Sequence, residues 1–266
     1  MVNQIILTAL DVFLSDSDSD SDEDCGALKS AIAQLQAKDI PVIVFTERDR
    51  AELEPIRAKL GLVAPFITES GSGIFTPVDQ NPFDPVLGEK DGAYYVEELG
   101  CPYVQARAGL RVIANEISHP LKGFGDFTVD QLKRMAKISE DAAHQAKARE
   151  FSEPFMTPKA VDSETLRDAA EAMGFGVVLR SPEEGRFSEL IGADAGLGPA
   201  VQVVLEAYQK QLPAGEALKV MGISSREQDA SLWAEANSLA TWTNVVLSAD
   251  EAGTVGWLSA VSSLLT

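Results

Sequence analysis

The chain has 266 residues, 45% of them hydrophobic and 7% aromatic, enough to bury the core of one large domain or two modest ones. Its 41 acidic and 22 basic residues leave a formal charge of −19, which repels phosphate backbones and anionic membranes and so argues against nucleic-acid or membrane partners. Only Cys25 and Cys101 could form a disulfide, and only His119 and His144 could serve a histidine-rich metal site or a Ser-His-Asp relay, so neither a stapled framework nor that chemistry is expected.

The opening MVNQIILTAL has no basic leader and no small-residue cleavage site, so it reads as a first strand and not a signal peptide. No apolar run reaches the roughly 18 residues that a membrane span needs, and the expected location is the cytoplasm. QIILTAL, residues 4–10, is a candidate buried parallel strand. SDSDSDSDEDC follows at 15–25 and places six acids in the ten residues before Cys25. A calcium loop needs Gly at about position 6 and Glu at about position 12. An opening at Asp16 puts Ser21 and Ala27 there, and an opening at Asp18 puts Glu23 and Lys29 there. The run therefore reads as a mutually repelling flap.

GALKSAIAQLQAK (26–38) has helical spacing, DIPVIVFT (39–46) is a second strand, and RAELEPIRAKLGL (50–62) is helical with a late start or a kink at Pro55. PFITESGSGIF (65–75) reads as strand, glycine-rich turn, strand. This β-α-β-α-β order predicts a Rossmann-like, doubly wound parallel sheet. Residues 76–92, with Pro77, Pro82 and Pro85, read as a connector. Beyond it come YYVEEL, helices at 102–118, 128–137 and 139–148, REFSEPFM, a helix at 162–173, GVVLRS and GRFSELIG, which together suit a separate α+β unit. A helix at 199–212, a strand at 218–224, a helix at 229–236 and a strand at 243–248 resume the first pattern. The expected layout is an α/β core of residues 1–82 and 193–266, interrupted by an inserted α+β cap of residues 83–192, with no internal repeat. Among the tryptophans, Trp233 and Trp257 read as packing residues. His144 reads as lying on a solvated helix face.

That layout, together with LGCPY (99–103), GFGDFTVDQL (123–132), ISEDAAHQAKAREFSEPF (138–155) and GRFSELIG (185–192), resembles the mannosyl-3-phosphoglycerate phosphatases of the haloacid dehalogenase superfamily. The resemblance covers nearly the whole chain and implies a haloacid dehalogenase-like core. In such enzymes the first strand ends in D-L-D-G-T-L, whose first aspartate attacks phosphorus and whose second protonates the leaving oxygen. Here the stretch reads Ala9-Leu10-Asp11-Val12-Phe13-Leu14. The nucleophile position is Ala9, and Asp11 keeps the acid–base position. Thr46 fits the hydroxyl that holds a phosphate oxygen in the second motif, followed by Glu47-Arg48-Asp49-Arg50-Ala51-Glu52, in which Arg48 keeps a cation. The third motif's lysine, in a pattern like A-x-A-G-K-x-x-A, corresponds to Leu197. The fourth, G-L-G-D-x-x-N-D, corresponds to residues 222–229, with Ser225 at a lost metal ligand and Asp229 retained.

Phosphoryl transfer depends on positioning and on neutralising charge around phosphorus, and these replacements remove both. Two positions along a strand separate Asp11 from Ala9 by about 6.6 Å, whereas a nucleophile must lie within about 3–3.5 Å of its target. In the cap, Arg149 can grip a phosphate or carboxylate, although an ion pair with Glu150 at a helix end is the plainer reading. Glu150 and Glu153 can accept sugar hydroxyls. Gly123 and Gly125 allow close backbone approach, and Ser152 and Arg186 complete the candidate ligand set. The expectation is a phosphatase-like protein with impaired catalysis that keeps sugar-phosphate or phosphoglycerate binding through its cap, and needs no cofactor. Two alternatives stand beside it. One is an active hydrolase that uses magnesium and rebuilt ligands such as Glu47, Asp49 or Glu227. The other is a regulatory or structural protein acting through an unknown protein partner.

Overall fold

The computed structural model describes residues 2–12, 22–180, 187–227, 229, 240–248 and 251–265. Arg186, the acidic run up to Ser21 and the expected helix at 229–236 with Trp233 lie outside the described residues, Asp229 excepted.

The core begins with β1 (Gln4–Ala9), α1 (Asp22–Ala37), β2 (Val42–Phe45), α2 (Arg50–Leu60) and β3 (Phe66–Thr68). A one-turn 3-10 segment, Glu69–Gly71, leads into β4 (Gly73–Pro77), followed by β5 (Glu89–Asp91) and β6 (Tyr94–Glu98). The cap then contributes α3 (Tyr103–Glu116), α4 (Val129–Ala136), α5 (Glu140–Gln145), β7 (Glu153–Met156), α6 (Ser163–Ala172), β8 (Phe175–Val178) and β9 (Phe187–Gly192). The chain re-enters the core with α7 (Leu197–Gln209), β10 (Leu218–Ser224), β11 (Ala240–Val246) and α8 (Thr254–Leu265).

Eight strands form the core sheet in the order β11-β10-β1-β2-β3-β4-β6-β5. The first five run parallel, and β4, β6 and β5 pair antiparallel at the other end. Ile5, Ile6 and Leu7 of β1 are all buried, so successive side chains on both faces are covered. That is why this strand reads as a continuous apolar run and not as an alternation. α1 packs against α2 and α8. Trp257 of α8 is fully buried, and its indole donates to the Thr8 hydroxyl at 3.2 Å. The large, mainly parallel sheet matches the expected fold class.

The cap is a three-stranded antiparallel sheet, β7-β9-β8. Leu110, Ile113, Phe155, Leu166 and Leu190 form one apolar cluster behind it, and Phe124, Leu132 and Ala143 form another between α4 and α5. No described helix is long and apolar enough to cross a membrane.

Several boundaries differ from the sequence reading. Residues 89–98, assigned to the cap or its connector, extend the core sheet, with β6 pairing with β4 and β5 with β6. Prolines and charges hide β5, whose residues are all exposed. α1 starts at Asp22, before the glycine expected to open it. α2 starts at Arg50 despite Pro55, because the Asp49 carboxylate accepts from Glu52 N at 3.0 Å and caps the first turn. α8 carries no charged residue, so no charged face marks a helical period in its sequence.

Candidate functional site

The carboxyl ends of β1 and β2, the segment after β10 and the amino end of α7 floor a cavity of about 710 Å³. Residues of α6, β8 and β9 roof it. Ala9, Asp11, Thr46, Leu197 and Asp229, far apart in sequence, all line this space. At the back, Gly71 (φ +92°) lies against Gly196 (φ +148°), and a Cβ on Gly71 would sit 2.2 Å from the Gly196 carbonyl carbon. Both glycines are therefore fixed by geometry, which brings the start of α7 onto the turn after β3.

Ala9 ends β1 in register with Phe45 and is buried. Asp11 lies beyond the strand, in a 3-10 turn, so the strand spacing no longer describes its reach. Its Oδ2 accepts from the Ser225 hydroxyl at 2.7 Å. The Thr46 hydroxyl accepts from Arg48 N at 3.1 Å, and its hydrogen is left to donate. Leu197 brings an apolar side chain to the start of α7.

Two arginines play parts that sequence reasoning missed. Arg226, inside the fourth motif, and Arg180, at the end of β8 in the cap, both grip Glu47 from the loop after β2. Burial raises the Glu47 pKa, but the two guanidiniums hold it below the usual carboxylate range. Burial opposes the Arg226 charge, yet Glu47, Asp11 and Asp229 keep its pKa above the ordinary value. Asp229 is buried beside the Ser224 hydroxyl, which donates to its Oδ2, and burial pushes its pKa up. Arg48, Arg167, Arg180 and Arg226 line the cavity against Asp11, Glu47 and Asp229, four cations against three anions in a strongly acidic chain. Among the described residues, the side chains of Arg48 and Arg167 make no ion pair. The arrangement can hold an anion. It offers no carboxylate at the end of β1 to attack one.

Magnesium is the cofactor the family resemblance implies, and these residues do not fit it. Among the described residues no three of His, Cys, Asp and Glu come together as ligands. The Oδ2 atoms of Asp11 and Asp229 already accept serine hydroxyls, and the Arg226 guanidinium is drawn to both carboxylates. Of the proposed replacement ligands, Glu47 is clamped by arginines and Asp49 is buried at the cap of α2.

The expected cap ligands lie elsewhere. Arg149 is buried in the joint between cap and core, donating to Glu189 Oε1 at 2.8 Å and to the Glu47 carbonyl at 2.6 Å. Its Nε faces Asp49 Oδ2 at 3.9 Å, an ion pair without a hydrogen bond. Burial opposes its charge, but Glu189, Glu69, Asp49 and Glu52 hold its pKa above the ordinary value. Glu150 pairs with Arg50 through two bonds, at 2.9 and 3.1 Å, and not with Arg149. Glu153 is buried and accepts from Gly125 N at 3.0 Å. A Cβ on Gly123 would meet Glu153 Oε1 at 2.0 Å, and one on Gly125 would meet Arg107 Nη1 at 1.5 Å. GFGD and REFSEPF thus travel together because one packs on the other, and none of these residues lines the cavity.

Glu69 organises the same joint. Its carboxylate accepts from Glu150 N at 2.9 Å and from Phe151 N at 3.1 Å. Ser152 Oγ lies 2.5 Å from Glu69 Oε2 and 2.7 Å from Glu189 Oε1. A hydroxyl has a single hydrogen, and an ionised carboxylate can only accept. The hydroxyl can therefore donate to only one of the two carboxylates at a time. Burial raises the pKa of both. Glu69 and Ser70 sit at φ 50° and 55°, in the left-handed region that costs a side-chain-bearing residue about 1 kcal/mol or more. The bonds from Glu69 to the cap amides and from Ser70 to Glu189 hold that turn in place.

The chain is similar over most of its length to known proteins. It is 30% identical over 231 residues to a glucosyl-3-phosphoglycerate/mannosyl-3-phosphoglycerate phosphatase of Persephonella marina, spanning 87% of this chain and 81% of that protein. It is 30% identical over 210 residues to a phosphatase of the same description from Methanococcoides burtonii, spanning 79% of this chain and 75% of that one. A solved phosphatase of the haloalkanoate superfamily from Bacteroides thetaiotaomicron superposes with a TM-score of 0.59 at 12% identity, over 97% of this chain and 94% of that one, a likeness of fold. No family model matches the chain.

Proposed function

Because the chain belongs to the glucosyl-3-phosphoglycerate/mannosyl-3-phosphoglycerate phosphatases of the haloacid dehalogenase superfamily, we propose that it binds a sugar phosphate of that class and has lost the means to hydrolyse it. The observation that carries this reading is Ala9, a buried methyl group at the end of β1, where the family places its attacking aspartate. Leu197 leaves a second gap, since it cannot neutralise the charge that a lysine would. Asp11 can accept or donate a proton, but it sits past the strand end and is engaged by Ser225. Binding has better support. Arg48 and Arg167 flank the cavity without ion-pair partners among the described residues, and the Thr46 hydroxyl can donate into it. Guanidiniums suit phosphate and carboxylate oxygens because their paired donors match both groups. Val177, Val178, Leu179 and Ile191 form an apolar wall beside the exposed Arg48 and Arg167.

The test is calorimetric titration of the purified chain with mannosyl-3-phosphoglycerate, alongside a phosphate-release assay with magnesium. The expected result is saturable binding without release. Turnover at ordinary enzyme rates, about 1–10³ per second, that vanishes in Asp11→Asn would overturn the reading.

A further inference from the structure

We infer that the Arg226 guanidinium is the resident cation of this cavity, occupying the charge position that a divalent metal would need, so that small phosphate or carboxylate anions bind here independently of metal. Only the naming of the ligand rests on the function proposed above. The placement of Arg226 rests on its own contacts. Its backbone is fixed on both sides: Arg226 N donates to Ser224 Oγ at 3.1 Å, and Arg226 O accepts from Asp229 N at 3.2 Å. Its side chain is 31% exposed and pairs with Glu47, which Arg180 of the cap grips at the same oxygen, Oε1. Asp11 and Asp229 supply the remaining attraction. These carboxylates come from three separate segments, after β1, after β2 and after β10, and the guanidinium pairs with Glu47 while attracting the other two.

A divalent ion entering this space would have to displace the guanidinium from Glu47 and would keep a positive neighbour at close range. Magnesium also resists dehydration and demands near-octahedral oxygen ligands. Here the available Oδ2 atoms of Asp11 and Asp229 are already bonded to Ser225 and Ser224. An anion meets the opposite situation. Arg226 needs no metal to bring it into place, and Arg48, Arg167 and Arg180 line the same cavity.

The experiment measures Mn²⁺ binding to the full chain by electron paramagnetic resonance, for wild type, Arg226→Gln, Arg226→Lys and the double variant Arg226→Gln/Asp229→Asn. Wild type and Arg226→Lys are expected to bind no Mn²⁺ at millimolar concentration. Arg226→Gln is expected to gain one site at least tenfold tighter than any in wild type, and the double variant to lose it. A wild-type site as tight as that of Arg226→Gln overturns the inference. So does the absence of a site in Arg226→Gln, because Arg226 would then stand in for nothing. In parallel, inorganic phosphate is titrated calorimetrically in EDTA and in excess Mg²⁺. Affinities within twofold of each other support metal-independence, and a tenfold gain with Mg²⁺ overturns it. If phosphate binds in neither buffer, the ligand reading of the preceding subsection fails, and the Mn²⁺ measurement still decides the role of Arg226.

Discussion

The two ends of the contact between cap and core differ in how their charges are treated. At the joint, Arg149, Asp49, Glu69 and Glu189 are buried together, and Ser152 and two backbone amides knit them into one network. At the cavity, Asp11 is exposed, Glu47 is 42% exposed, and Ala9 and Leu197 add no charge to the lining. The joint is a set of buried partners, whereas the cavity side chains face a space of about 710 Å³. The difference teaches that the residues seating the cap are mostly not those lining the cavity, with Glu47 and Ser70 shared between them.

The sharpest way to break this comparison is Arg149→Met. It removes the cation from among four carboxylates, Glu189, Glu69, Asp49 and Glu52. Uncompensated buried charge of this kind costs about 3–5 kcal/mol. Urea unfolding at pH 7 should show that loss, and the loss should shrink at pH 4.5 as the carboxylates take up protons. A cost below about 1 kcal/mol would make the joint no different from a surface ion pair.

Next in size is a pH effect at Asp49. Burial raises its pKa from 3.8 to about 6, with Arg149 opposing the rise. Between those values the folded chain holds a proton that the unfolded chain has released. The associated stability is therefore full below pH 3.8 and is lost as pH rises through about 6. An asparagine at this position would not titrate, and asparagine caps a helix as well as aspartate does. The stability of Asp49→Asn relative to wild type should rise by about 2 kcal/mol between pH 4 and pH 7, measured by urea unfolding at each pH. A constant difference would mean that Asp49 stays ionised throughout. A smaller effect belongs to Ser152→Ala, which removes the hydroxyl between Glu69 and Glu189 at a cost of about 1–2 kcal/mol. The carboxyl resonances of Glu69 and Glu189 should also shift, because both lose the neighbouring hydroxyl. Unchanged titration of both by NMR would show that the hydroxyl influences neither carboxylate.

Much of this was legible in the sequence, and the exceptions have physical causes. β1 and β2 announced themselves as short apolar runs, and the cap helices by apolar residues at helical spacing. β5 did not, since an exposed edge strand needs no apolar residues. The cavity residues Ala9, Asp11, Thr46, Leu197 and Asp229 were placed by motif, and the structure does bring them to one wall. Arg149, Glu150, Ser152 and Glu153 stood out in the sequence as ligands and prove to be joint and packing residues. Sequence shows that a residue type recurs in a pattern, and a buried ion pair and a ligand contact select the same types. Glu69 and Glu189 were not singled out, although Glu189 lies within GRFSELIG. The partners of Glu69 lie 81 to 83 residues away and those of Glu189 lie 37, 40 and 119 residues away, and only the folded chain brings them together.

The smallest predicted effect tests the other half of the comparison. Arg180 joins cap to core through the Glu47 carboxylate, just as Arg149 does through Asp49 and the Glu47 carbonyl, yet the Glu47 side chain is 42% exposed where Asp49 is fully buried. In high dielectric the attraction is weak, and ordering two long side chains offsets much of it. Arg226 also remains on Glu47 when Arg180 is gone. Arg180→Ala should therefore cost less than about 1 kcal/mol in urea unfolding, with the joint at Arg149 still holding the cap. Its effect should appear instead in ligand affinity, because one of the four cations lining the cavity is lost. A stability loss equal to that of Arg149→Met would show that both ends of the contact hold the cap equally, and that the cavity charges serve the structure no less than those of the joint.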